Sequence, residues 1–190
     1  MKNTLVLHKS ALKTKSLVAL AAIAAAVALP QVFHFLGVLS GIASPSGIGA
    51  TFLPMHIPVF IAAFMAGPAV GLIAGVMSPL VSYGFTMLAF GTAMPALALL
   101  PFMMLELAGY GFAAGLLSKA KTPMLLNLVI AQAAGRALRT AAVLVAVFIL
   151  GINNPPSAVS TIWTTITIGL PGIMLQWALI PLFIHRFKKS

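Results

Sequence analysis

The stretch MLLNLVIAQAAGRALRTAAVLVAVFIL, from Met124 to Leu150, decides how this chain folds. It is long and apolar enough to cross a bilayer, yet it carries Arg136 and Arg139 in its middle. A charge at bilayer depth costs roughly 2.5–3.5 kcal/mol on insertion scales, so it is kept only where it has a partner or a task. At 1.5 Å per residue, Arg136 lies roughly 18 Å and Arg139 roughly 22 Å into a hydrocarbon core of about 30 Å. Glu106 is the one acidic residue among 190. Counted back from Lys119, it lies roughly 20 Å deep, which suits an ion pair between neighbouring antiparallel helices.

The rest of the chain repeats this pattern. With 61% hydrophobic and 6% charged residues, it reads as a single membrane domain over residues 1–190, an all-α integral membrane protein. Six transmembrane helices are expected at about 16–38, 53–66, 69–88, 96–117, 124–150 and 158–184. The second is short and carries Pro54 and Pro58; Gly67-Pro68 makes a tight turn into the third, and the last is expected to break at Pro171-Gly172. The N-terminal stretch shows no convincing cleavage site and reads as a retained first helix.

Charge asymmetry orients the set. Lys2, Lys9, Lys13 and Lys15 precede the first span, Lys119 and Lys121 lie between four and five, and Arg186, Lys188 and Lys189 follow the last. With six spans these all fall on one side, and the opposite loops carry no lysine or arginine. The positive-inside rule then places both termini in the cytoplasm of a multi-pass protein of the cell membrane. The net charge of +10 flanks apolar spans, so nucleic acid is not an expected partner. The loops on the far side, rich in Gly, Pro, Ser, Asn and Thr, are either plain connectors or backbone offered to a ligand.

Gln132, Arg136, Arg139 and Thr140 share one helical stripe that must face protein or water. Glu106 and Arg136 are assigned first to a buried ion pair locking helices four and five. Arg139, the outer arginine, is the candidate for holding a polar ligand. A third role for Glu106 is to take up a proton that drives transport. His56 sits where the second span begins, with no other His, Asp or Glu at metal-ligand spacing, so neither metal nor cofactor is expected. Trp163 could stack on a ligand near the outer end of the last span. No phosphate-binding loop, cysteine nucleophile or carboxylate pair is present, so the chain is not expected to be an enzyme. The pairs Ala21/Ala25, Ala22/Ala26 and Ala24/Ala28 let another helix approach closely, within this protein or from a partner.

Several segments together carry a family resemblance. Phe52-Leu-Pro-Met-His-Ile-Pro-Val59, Ala66-Gly-Pro68, Ser78-Pro79, Glu106-Leu-Ala-Gly-Tyr-Gly111 and Ala134-Gly-Arg136 resemble, in this order, the substrate-binding S component of energy-coupling factor (ECF) vitamin transporters. The likeness implies a six-helix bundle in the bacterial cytoplasmic membrane that captures a water-soluble vitamin from outside. It further implies docking through small residues of the first helix, here Ala21, Ala22, Ala25 and Ala26, onto a transmembrane coupling subunit bearing two ATPases. The S component then topples in the bilayer to release its cargo. Met55-His-Ile-Pro and Ala134-Gly-Arg are most similar to the type associated with cobalamin or its precursors; pantothenate is the first alternative. His56, Tyr83, Arg139 and Trp163 are the expected ligand-side residues. A small proton-coupled carrier using Glu106, and a structural membrane subunit that binds nothing, are the other readings.

Overall fold

The computed structural model describes residues 2–41, 51–152 and 166–188. Among these every element is a helix: α1 (Lys2–Leu39), α2 (His56–Ala66), α3 (Pro68–Phe90), α4 (Leu100–Leu117), α5 (Met124–Phe148) and α6 (Leu170–Lys188). Five of the six, all but α2, are long and apolar enough to cross a membrane. Their outer faces carry Leu17, Leu20, Phe35, Leu88, Phe112 and Leu182, exposed as lipid-facing residues are. The chain is a helical membrane protein.

Two expected spans are changed. The second is an 11-residue helix, roughly half the length that a bilayer crossing needs. It starts only at His56 because Leu53 takes a left-handed backbone, φ 48°, and Pro54 and Met55 form a turn. The break in the last span falls at Gly169, and Pro171 sits in the first turn of α6 rather than interrupting it. A proline there costs no hydrogen bond, since the first N–H groups of a helix have no intrahelical acceptor. The expected start of that span, from 158 to 165, lies outside the described residues.

The five long helices pack in the order α1, α3, α4, α5, α6, each on the next, and α2 lies inside against α1, α3, α4 and α6. Seven of its residues, His56, Pro58, Val59, Phe60, Ala62, Ala63 and Phe64, are buried. Residues 51–52 lie between the two ends of the row: the Phe52 ring packs on Phe33 of α1, centroids 5.4 Å apart. On the other side, a side chain at Gly172 of α6 would come within 2.5 Å of the Phe52 backbone.

Lipid tails are as apolar as leucine, so burial alone does not press these helices together; close backbone contact does. α3 and α4 achieve it with glycines four apart on each helix. A Cβ on Gly71 would lie 2.2 Å from the Gly111 carbonyl oxygen, and one on Gly75 would lie 2.3 Å from that of Leu107. Gly115 meets Pro68 as closely, so the two helices run antiparallel with backbones touching. The α3–α4 loop is fixed in turn: Ser82 Oγ donates to the Met94 carbonyl at 2.9 Å, and the Met94 N–H donates to Thr86 Oγ1 at 2.8 Å.

The alanines of α1 divide between two faces. Ala22 and Ala26, with Ala19, lie in the core, packed on the α2–α3 side. Ala21, Ala24 and Ala28 are exposed and Ala25 is half-buried. The expected coupling face of Ala21, Ala22, Ala25 and Ala26 is thereby corrected: Ala22 and Ala26 serve internal packing, and of the four Ala21 and Ala25 alone stay open at the surface. The spacing explains it, since one residue along a helix turns the side chain by about 100°.

Replacing Gly111 by leucine should push α3 and α4 apart and destabilise the bundle by about 1–3 kcal/mol or more. Gly84→Ala, where an added Cβ meets nothing within 4 Å, is the matched control. If both variants melt with the wild type in a detergent thermal ramp, the close crossing is not what holds the bundle.

Candidate functional site

The charged cluster forms where α4 and α5 cross. Glu106 and Tyr110 lie four residues apart, hence one above the other on α4. The Tyr110 hydroxyl donates to Glu106 Oε1 at 2.6 Å. From α5, Arg139 Nη1 donates to Oε2 at 2.7 Å, closing an ion pair whose side chains are 14% and 8% exposed. Both carboxylate oxygens are thus engaged by donors, which is the condition under which a buried charge is tolerated.

This corrects the expected pairing: Glu106 is partnered by Arg139, not by Arg136. The single polar stripe read from the sequence is in fact two. Gly135 and Arg139 form the stripe facing α4, where a Cβ on Gly135 would lie 2.1 Å from the Tyr110 ring and 2.6 Å from the Glu106 carbonyl oxygen. Only a glycine lets α5 approach so near that Arg139 reaches the carboxylate. Gln132 lies on the neighbouring stripe, turned toward α6, because residues three apart differ by about 60° around the axis; Arg136 follows it one turn on.

That second stripe opens a separate polar contact. Trp177 Nε1 donates to Gln132 Oε1 at 2.9 Å, and Gln132 Nε2 donates to Gln176 Oε1 at 2.8 Å. An indole N–H is donor-only, so it fixes which end of each amide points where. The chain of bonds ends on Gln176 Nε2, which is buried with no acceptor. The guanidinium of Arg136, half-buried one turn beyond Gln132, has no hydrogen-bond or ion-pair partner among the described residues; its carbonyl accepts from Thr140 Oγ1 at 2.8 Å.

His56 joins the cluster from α2. Its ring stacks obliquely on Tyr110 with centroids 5.3 Å apart, and Phe60 packs on the same tyrosine at 5.3 Å. His56 is buried and its Nδ1 has no hydrogen-bond partner. The four expected ligand-side residues therefore divide. His56 and Arg139 are brought together around Glu106 and Tyr110. Tyr83 stands half-buried on α3, joined to that cluster by no hydrogen bond or ring contact. Trp163 lies outside the described residues, as do 42–50 and 153–165 of the expected ligand-facing loops.

Tyr110, Gln176 and Trp177 were not expected as members. The spacing of Glu106 and Tyr110 was a legible signal; the pairing of Gln132 with α6 was not, because it depends on how two distant helices meet. Among the described residues no three His, Cys, Asp or Glu gather as metal ligands. Comparison with protein-family models, with curated proteins and with solved structures gives no match.

Glu106→Gln should leave Arg139 buried without its counter-charge and cost about 3–5 kcal/mol, read as a lower melting temperature in detergent. Tyr110→Phe should cost less, about 1–3 kcal/mol. Adding Arg139→Gln to Glu106→Gln should recover much of the loss, because the two sites couple; strictly additive effects would mean that the ion pair contributes no coupling.

Proposed function

We propose that this chain is the substrate-capture subunit of an ECF-type importer. In this reading it binds a water-soluble vitamin from outside, of the cobalamin type or pantothenate. It has no ATPase of its own, and delivers the cargo by docking on a transmembrane coupling subunit that carries two ATPases. It lies in the bacterial cytoplasmic membrane with both termini inside.

The observation that carries the reading is the broken second helix beside the charged cluster. Leu53 is held at φ 48°, a left-handed conformation that a branched side chain rarely takes. Backbone strain of this kind, of order 1–3 kcal/mol, persists where the surroundings enforce it, and it gathers at ligand sites. Non-helical backbone at membrane depth must lie inside protein or along a cavity, and such interrupted helices are where membrane transporters hold their substrates. Here the interruption ends at His56, against Tyr110 and one residue contact from Glu106. The exposed Ala21, Ala24 and Ala28 with half-buried Ala25 supply a face on which a partner helix can seat.

One observation favours a second reading, the proton-coupled carrier: the chain's only carboxylate sits in a buried chain of contacts from Arg139 through Tyr110 to His56. The two separate cleanly, since a carrier would take up its solute without any ATPase and would stop on Glu106→Gln.

A thermal-shift screen of the purified protein in detergent against cobalamin, cobinamide, pantothenate and the other water-soluble vitamins tests capture directly. A true ligand at 100 times Kd stabilises the fold by about 2.7 kcal/mol without ATP or partner; no shift across the panel refutes the reading. Ala21→Leu and Ala25→Leu should then abolish uptake in cells while leaving ligand affinity unchanged. Ala22→Leu, in the core, should instead lower the melting temperature. Uptake that survives both outer substitutions would place docking elsewhere.

A further inference from the structure

We infer that the cargo carries a carboxylate and that Arg136, midway along α5, receives it. This rests on the capture reading and names the chemical class of what is captured. The charge count leaves one arginine of α5 without an acidic side chain. Two arginines stand in the middle of that helix, and Glu106 is the only acidic side chain in the sequence. Arg139 takes that carboxylate at 2.7 Å, so no second acidic side chain exists to neutralise Arg136, whatever the conformation of the rest of the chain.

Its position makes an unneutralised arginine costly. Arg136 is the middle residue of α5, twelve from Met124 and twelve from Phe148, hence roughly 18 Å along the helix from either end. Neither end of the helix is near enough for its guanidinium to reach the headgroups easily by extension, so the usual escape of a cation near a membrane surface is largely closed to it. The same distance argues against a lipid phosphate as the natural counter-ion.

The contact between α5 and α6 presents a second empty donor. The bond chain from Trp177 through Gln132 leaves Gln176 Nε2 buried and unpaired, although Gln176 is only 1% exposed. A buried amide donor without an acceptor is destabilising, and so is a buried cation without an anion. The two donors are close in the fold, since Arg136 is one turn from Gln132 on α5 and Gln132 bonds Gln176, and both are of the kind that an incoming oxyanion satisfies. A planar guanidinium matches a carboxylate by two parallel hydrogen bonds, which gives orientation as well as attraction. A neutral or cationic cargo would leave the mid-membrane charge uncompensated.

The test compares acids with their neutral counterparts on the full chain in dodecyl maltoside: pantothenate against panthenol, nicotinate against nicotinamide, biotin against its amide, with cobalamin alongside. One acid should bind, its neutral counterpart should bind about ten- to a hundredfold more weakly, and Arg136→Gln should erase that difference while Arg136→Lys keeps most of it. The comparison on the unaltered protein decides the matter even if Arg136→Gln does not fold. A ligand that binds equally as acid and neutral form, or cobalamin as the one binder, overturns the carboxylate and leaves capture standing. Silence across the panel overturns both. Micelles doped with phosphatidylglycerol that stabilise the wild type but not Arg136→Gln would make the anion a lipid and overturn a small-molecule cargo.

Discussion

The Glu106 carboxylate is the constraint around which this bundle is arranged. At bilayer depth it cannot stand alone, and its two oxygens take the Tyr110 hydroxyl and the Arg139 guanidinium, each within 2.7 Å. For these bonds to form, α5 must come close to α4, which only Gly135 permits against the Tyr110 ring. α2 in turn packs His56 and Phe60, one turn apart, against the Tyr110 ring. One buried charge thereby fixes the relation of three helices, because the alternative is an unpaired ion in a medium of low dielectric constant.

The second determinant is the absence of side chains rather than their presence. In lipid, helices gain little from apolar burial against each other, so contact area at short range decides which pairs persist. The α3–α4 crossing, with Gly71 and Gly75 against Gly111 and Leu107, is the closest of these contacts. It also sets the depth of the site, since Gly75 meets α4 one residue from Glu106. The loop held by Ser82 and Thr86 then continues the same closely packed unit.

Against this rigid pair the remaining parts are built differently. α1 is the least enclosed of the long helices, attached by the narrow alanine strip of Ala19, Ala22 and Ala26. α6 is held to α5 mainly through the Gln132 amide and its two partners. The bundle thus combines a closely packed helix pair, an exposed small-residue strip on α1 and an α5–α6 contact that leaves one amide donor unpaired.

The sequence by itself determined that the chain is a helical membrane protein, since apolar runs with charges confined to their ends admit no other solvent. It also determined that Glu106 and one of two arginines would meet, because their depths agree and a lone charge there is costly. It misassigned the partner, and it merged Gln132, Arg136, Arg139 and Thr140 into one stripe. A spacing of three or four residues is ambiguous until neighbours on both sides of the helix are known. Ala22 and Ala26 could likewise face inward or outward on periodicity alone, and only packing on α2 and α3 decided it. The length of α2 was decided by a backbone turn at Leu53; Pro54 disfavours helix at that residue but does not announce the left-handed form it takes. Tertiary structure settled each of these for the same reason: a helix fixes the angles between its own side chains, but which angle faces protein is set by the helices around it.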